Sequence, residues 1–157
     1  MKKLSLVLLF LLALSPLAGK DTSPVPRFQL EYTSRGSMWP VFIQFTIDRN
    51  GYCVYSSTNR RTGAVERFTT RLSSPELASL QSRLLNDFNF FSLPDYDYRQ
   101  HNMHQLKDGS TTYLTVSYSG KTRRIGGYAV SHVKTYSPVF SHVSTLIHIL
   151  RAHNKGR

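Results

Sequence analysis

The sequence predicts an α+β fold, an antiparallel sheet of about six strands in the order ββββαββα with two amphipathic helices packed on one face. Three observations predict it. Alternating apolar and polar runs fill 28–71 and 112–125, with short turn signals between them, which is the pattern of hairpins. Asn50-Gly51 joins two of these runs directly. Two segments opened by Ser-Pro carry apolar residues at helical spacing, so each has one face to bury against a sheet.

The elements follow in order. Phe28 to Thr33 alternates as a half-buried strand, and Ser34 to Pro40 is a turn around Gly36. Val41, Ile43, Phe45 and Ile47 then point one way, while Gln44, Thr46 and Asp48 point the other. Tyr52 to Ser57 is the return strand. Arg60 to Gly63 turns the chain into a strand from Val65 to Arg71. There Val65, Arg67, Thr69 and Arg71 share one face, and Glu66, Phe68 and Thr70 the other. Ser74-Pro75-Glu76 opens a helix, with Ser74 as its cap and Glu76 at the positive end of the dipole. Leu77, Leu80, Leu84 and Phe88 form its apolar face, and Phe90, Phe91 and Leu93 plug its end. Pro94 to Ser110 has no periodicity and reads as a long loop. Thr112 to Tyr118 is a strand, Ser119-Gly120 a turn, and Lys121 to Ile125 a strand that Gly126-Gly127 ends. Ser137-Pro138 opens the second helix, whose apolar face is Phe140, Val143, Leu146, Ile147 and Leu150. Residues 28–152 make a single domain, and 153–157 a basic tail.

Residues 1–19 read as a cleavable export signal. Lys2 and Lys3 precede an apolar run from Leu4 to Leu14, and Leu17-Ala18-Gly19 offers small residues to a signal peptidase. That run is about half of the roughly 20 residues that span a bilayer. Residues 20–27, with Pro24 and Pro26, read as an extended lead-in. The expected destination is the periplasm or the exterior. Removing the signal from the 157-residue chain leaves 138 residues, enough for one core without disulfides. Cys53 is the single cysteine, so no internal disulfide exists, and its neighbours make it a packed strand residue.

The formal charge of +11 falls to +9 when Lys2 and Lys3 leave. Such a balance favours acidic partners, either an anionic envelope component or an acidic protein. No basic run suggests nucleic acid.

The order of motifs resembles the small exported bacterial domains of unknown function. It is carried by Phe42-Ile-Gln-Phe-Thr-Ile47, Asn50-Gly51, Tyr52-Cys-Val-Tyr55, Leu72-Ser-Ser-Pro-Glu-Leu77, Phe90-Phe-Ser-Leu93 and Lys107-Asp108-Gly109, followed by a hairpin and a closing helix. The resemblance spans about Phe28 to Leu150. It implies no activity, cofactor or functional residue.

Three functional readings follow from the residues. The first is a non-enzymatic binding module of the cell envelope or exterior. Its surface would be a basic sheet face bearing Arg60, Arg61, Arg67, Arg71, Arg123 and Arg124, with Tyr52 and Tyr55 nearby and Trp39 as a possible anchor. Arginine beside aromatic rings suits an anionic partner. The second is an inhibitor or immunity-type protein that blocks an exported enzyme or toxin with the 94–110 loop or the arginine hairpins. The third is a small metal-dependent hydrolase in that loop. Its candidate ligands are His101 and His104 with Asp95, Asp97 or Asp108, because imidazole and carboxylate together hold zinc. No glutamate stands in the loop to act as a base. His142, His148 and His153 fall on or beside the exposed side of the last helix. No Gly-x-Ser-x-Gly elbow and no phosphate-cradling glycine loop is present, so no catalytic residue and no cofactor are expected.

Overall fold

The computed structural model describes residues 27–36 and 40–155. The expected export signal, the lead-in before Arg27, Trp39, and Gly156 with Arg157 lie outside the described residues. Eight main elements follow in order. They are β1 (Phe28–Arg35), β2 (Val41–Ile47), β3 (Tyr52–Asn59), β4 (Val65–Arg71), α1 (Ser74–Ser82), β5 (Thr111–Tyr118), β6 (Lys121–Tyr128) and α2 (Ser137–Lys155). The strands form one six-stranded antiparallel sheet in the order β4-β3-β2-β1-β5-β6. The fold is α+β.

Alternation decides which side chains face the core. Phe28, Leu30 and Tyr32 of β1, Phe45 and Ile47 of β2, Cys53 and Tyr55 of β3, Leu114 and Val116 of β5, and Ile125 of β6 are all buried. They share one face of the sheet by register. Leu80 of α1, Leu84 just beyond it, and Val139, Phe140, Val143 and Ile147 of α2 belong to the same apolar cluster. Burying a side chain of this size contributes about 1.5–3 kcal/mol. Among the described residues no helix is long and apolar enough to cross a membrane.

Four local expectations are corrected. The cap of α1 is Ser73, not Ser74. Its hydroxyl accepts from the Glu76 N–H, and the Glu76 carboxylate accepts from the Ser73 N–H in return. The β2–β3 turn uses positive φ only at Gly51. Asn50-Gly51 is expected to supply positive φ at both residues, but Asn50 does not take it; instead Asp48 Oδ1 holds the turn by accepting from the Asn50 and Tyr52 N–H groups, both at 2.8 Å. Gly126 and Gly127 do not end β6, which continues to Tyr128. They are glycines because neighbours approach closely. A Cβ on Gly126 would stand 2.1 Å from the Thr112 carbonyl oxygen, and one on Gly127 would stand 2.9 Å from the Tyr96 ring. Finally, α2 runs to Lys155, three residues past the expected end of the domain. Its last turns are held by Arg151, which grips Glu66 of β4 with both ends of its guanidinium.

The 94–110 loop is fastened by three tyrosines. Tyr96 donates to the Tyr128 carbonyl, Tyr128 donates to the Leu106 carbonyl, and Tyr136 donates to the Pro94 and Asp95 carbonyls. Each phenol ends a polar path into a loop that has no sheet partner of its own.

Candidate functional site: the outer face of the sheet

The residues between the buried ones form the outer face, and the register arranges them in rows. One row reads Thr69, Val54, Thr46, Glu31, Thr115, Arg124 from β4 to β6. The next reads Arg67, Ser56, Gln44, Thr33, Tyr113, Gly126. The third reads Val65, Thr58, Phe42, Arg35, Thr111, Tyr128. Tyr52 and Arg71 pair beyond the first row. Hydroxyls and amides fill most of the face, as expected where a sheet meets water.

Two features depart from that background. Described residues with large apolar side chains left exposed are Tyr52, Val54, Val65, Tyr98 and Ile149. Three of these five lie along the β3–β4 edge of the outer face, Tyr52 and Val54 side by side on β3 and Val65 two rows farther on, across from Thr58. Across the whole outer face the charges also lean positive. Arg35, Arg67, Arg71 and Arg124 project from this face against two carboxylates, Glu31 and, next to it beyond the end of β2, Asp48. Arg60, from the β3–β4 turn, adds a fifth cation 5.9 Å from the Phe42 ring centre. Arg124 lies 4.1 Å over the Tyr113 ring.

Of the six arginines expected on this surface, Arg67, Arg71 and Arg124 stand on the outer face itself. Arg60 leans onto it, and Arg61 is exposed in the adjoining turn. Arg123 does not join them. It shares the core face with Ile125 by alternation, and its guanidinium donates to the Phe91 and Leu93 carbonyls and to Asp95. Tyr55 is likewise turned inward, stacked on Phe68 at 4.7 Å. The alternation within Lys121, Arg123 and Ile125 carried this signal.

The loop candidates are not gathered. Among the described residues no group of three or more His, Cys, Asp or Glu side chains is placed to hold a metal. His101 lies flat on Tyr96, with ring centres 5.6 Å apart, and stands edge-on to Tyr136. His104 and Asp108 are exposed. Cys53 is fully buried, and its thiol donates to the Gly51 carbonyl. Burial pushes that thiol up to about 11, which keeps it protonated and unreactive at neutral pH. His142 packs against Phe88. Burial, and then Arg83, hold its imidazole below its ordinary range.

No family model matches the chain, and no curated protein matches it either.

Proposed function

We propose that the protein is a non-enzymatic binding module, exported from a bacterial cell, that docks an acidic protein on the outer face of its sheet. Both helices cover the core face in this reading and leave the outer face open to the partner. The observation that carries it is the strip along the β3–β4 edge of that face, where exposed Tyr52, Val54 and Val65 alternate with Arg71 and Arg67. Aromatic, aliphatic and arginine side chains of this kind anchor protein interfaces, and arginine selects a partner of opposite charge. Size supports a protein over a small ligand. Six strands at about 4.8 Å and seven or eight residues at about 3.4 Å give a face of roughly 700 Å² in projection. A standard interface takes about 800 Å² of accessible surface from each partner.

Photocross-linking in the producing cells tests this. A benzophenone amino acid replacing Val54 or Val65 should yield one discrete adduct with an acidic protein. The same group replacing Thr145, exposed on α2, should yield none. Charge reversal by Arg67→Glu with Arg71→Glu should remove the adduct. Equal adducts from the sheet and helix positions, or none from the sheet, would refute the reading.

A further inference from the structure

A second surface lies away from the outer face, where α1 passes the turns at one end of the sheet. Two adjoining hollows, of about 630 Å³ and about 440 Å³ and both lined by Ala78 and Gln81, make up a groove along the helix. Its apolar floor and walls are Phe28, Leu72, Leu77, Leu85, Phe91 and Tyr118. Arg49 and Arg71 stand at one end, and Lys121 at the other. The one carboxylate lining it, Glu76, accepts from the Ser73 N–H at 2.7 Å and hydroxyl at 2.6 Å, which keep it ionised, and the three cations Arg49, Arg71 and Lys121 outnumber it. Side-chain amides of Asn50, Gln81 and Asn86 line its rims.

We propose that this groove binds an extended acidic peptide of a partner protein, with apolar residues between carboxylates. The helical turns from Ser74 to Asn86 run about 18 Å at about 1.5 Å per residue. That is room for roughly six extended residues at about 3.3 Å each. Extended backbone leaves N–H and C=O groups unpaired, and amide side chains on the rims can satisfy both kinds. The apolar floor takes alternate side chains, and the cations at the two ends take terminal carboxylates. An acyl chain would need an enclosed apolar tunnel, whereas this groove is open and amide-rimmed. Arg71 stands on the border with the outer face, so the test uses residues that belong to the groove alone.

The probe is a fluorescein-labelled hexapeptide, Asp-Leu-Ser-Phe-Leu-Asp, followed by fluorescence anisotropy with the full mature chain. Saturable binding is expected. Gln81→Trp, which fills the groove, should weaken it at least about tenfold, and so should Arg49→Glu combined with Lys121→Glu. Circular dichroism confirms that each variant is folded. Val54→Glu with Val65→Glu, on the outer face, should leave peptide binding unchanged, which separates this site from the proposed docking face. The inference is overturned by any of four results. They are no saturable binding up to about 1 mM peptide, equal binding of a peptide with lysines for aspartates, binding lost in the outer-face variant but kept in Gln81→Trp, or binding only after residues 20–26 are deleted. The last would make the chain's own lead-in the occupant.

Discussion

Arg123 and Arg124 are neighbours in sequence and opposites in role, and replacing each with methionine measures the difference. Arg123→Met removes guanidinium bonds to the Phe91 and Leu93 carbonyls and to Asp95, while its methylene stem is kept. A hydrogen bond to a charged donor contributes about 1.5–3 kcal/mol net. The Arg123 side chain is 25% exposed and that of Asp95 is 98% exposed, so the ion pair adds little. The two carbonyl bonds carry most of the effect, and some of it is recovered by water. A loss of about 2–3 kcal/mol is expected, which lowers Tm by roughly 8–12 °C for a domain of this size. Arg124→Met removes only a cation resting on the Tyr113 ring at the surface. That change should cost about 0.5–1 kcal/mol. Urea unfolding followed by circular dichroism gives both values, and the slope m should be the same in the two variants. If the two substitutions cost the same, or if Arg124→Met costs more, the assignment of Arg123 to the core face and the loop is wrong.

Three further outcomes are expected. Gly126→Ala should cost about 3 kcal/mol or more, because its Cβ would meet the Thr112 carbonyl at a backbone φ of +146°. Gly63→Ala, at φ +71° with nothing within 4 Å, should cost only about 1–2 kcal/mol, and parallel urea titrations separate the two. Cys53 should react with a disulfide reagent at pH 8 at least about a hundredfold more slowly in the folded protein than in urea, since its thiol is buried and held near 11. For His142 the folded protein favours the neutral imidazole, so the unfolded chain takes up a proton more readily as pH falls. The stability it contributes is present above its ordinary value of 6.5 and is lost as pH drops through that value. The difference in Tm between the wild type and His142→Gln should shrink from pH 7.5 to pH 5, and a constant difference would exclude this titration.

Much of the sheet could be read from periodicity, because a side-chain period of two assigns a face as well as an element. Val41, Ile43, Phe45 and Ile47 against Gln44 and Thr46, and Val65, Arg67, Thr69 and Arg71 against Phe68, are cases where pattern and burial agree. The same rule applied to β6 places Arg123 with buried Ile125. Charge alone groups it with Arg124 instead, and that grouping ignores the pleat. The capping box Ser73-x-x-Glu76 is visible in the chain but competes with the Ser-Pro signal one residue later. Gly126 and Gly127 were opaque for a different reason. A glycine pair reads equally as a break or as a close approach, and only the partner strand and Tyr96 decide between them. The end of α2 depends on Glu66, 85 residues away from Arg151, and no local pattern encodes that bond. The candidate site was legible as a set of arginines on hairpins. The exposure of Tyr52, Val54 and Val65 along its edge was not, because exposure is a property of the assembled sheet.

The central claim is that the β3–β4 edge of the outer face docks an acidic protein. Isothermal titration of the purified cross-linked partner against the wild type and two variants, Arg67→Glu with Arg71→Glu and Val54→Glu, tests it most directly. The account predicts a one-to-one complex whose affinity falls with added salt and drops about a hundredfold or more with the paired charge reversal. It also predicts a comparable loss for Val54→Glu. Equal affinity for all three proteins would contradict it.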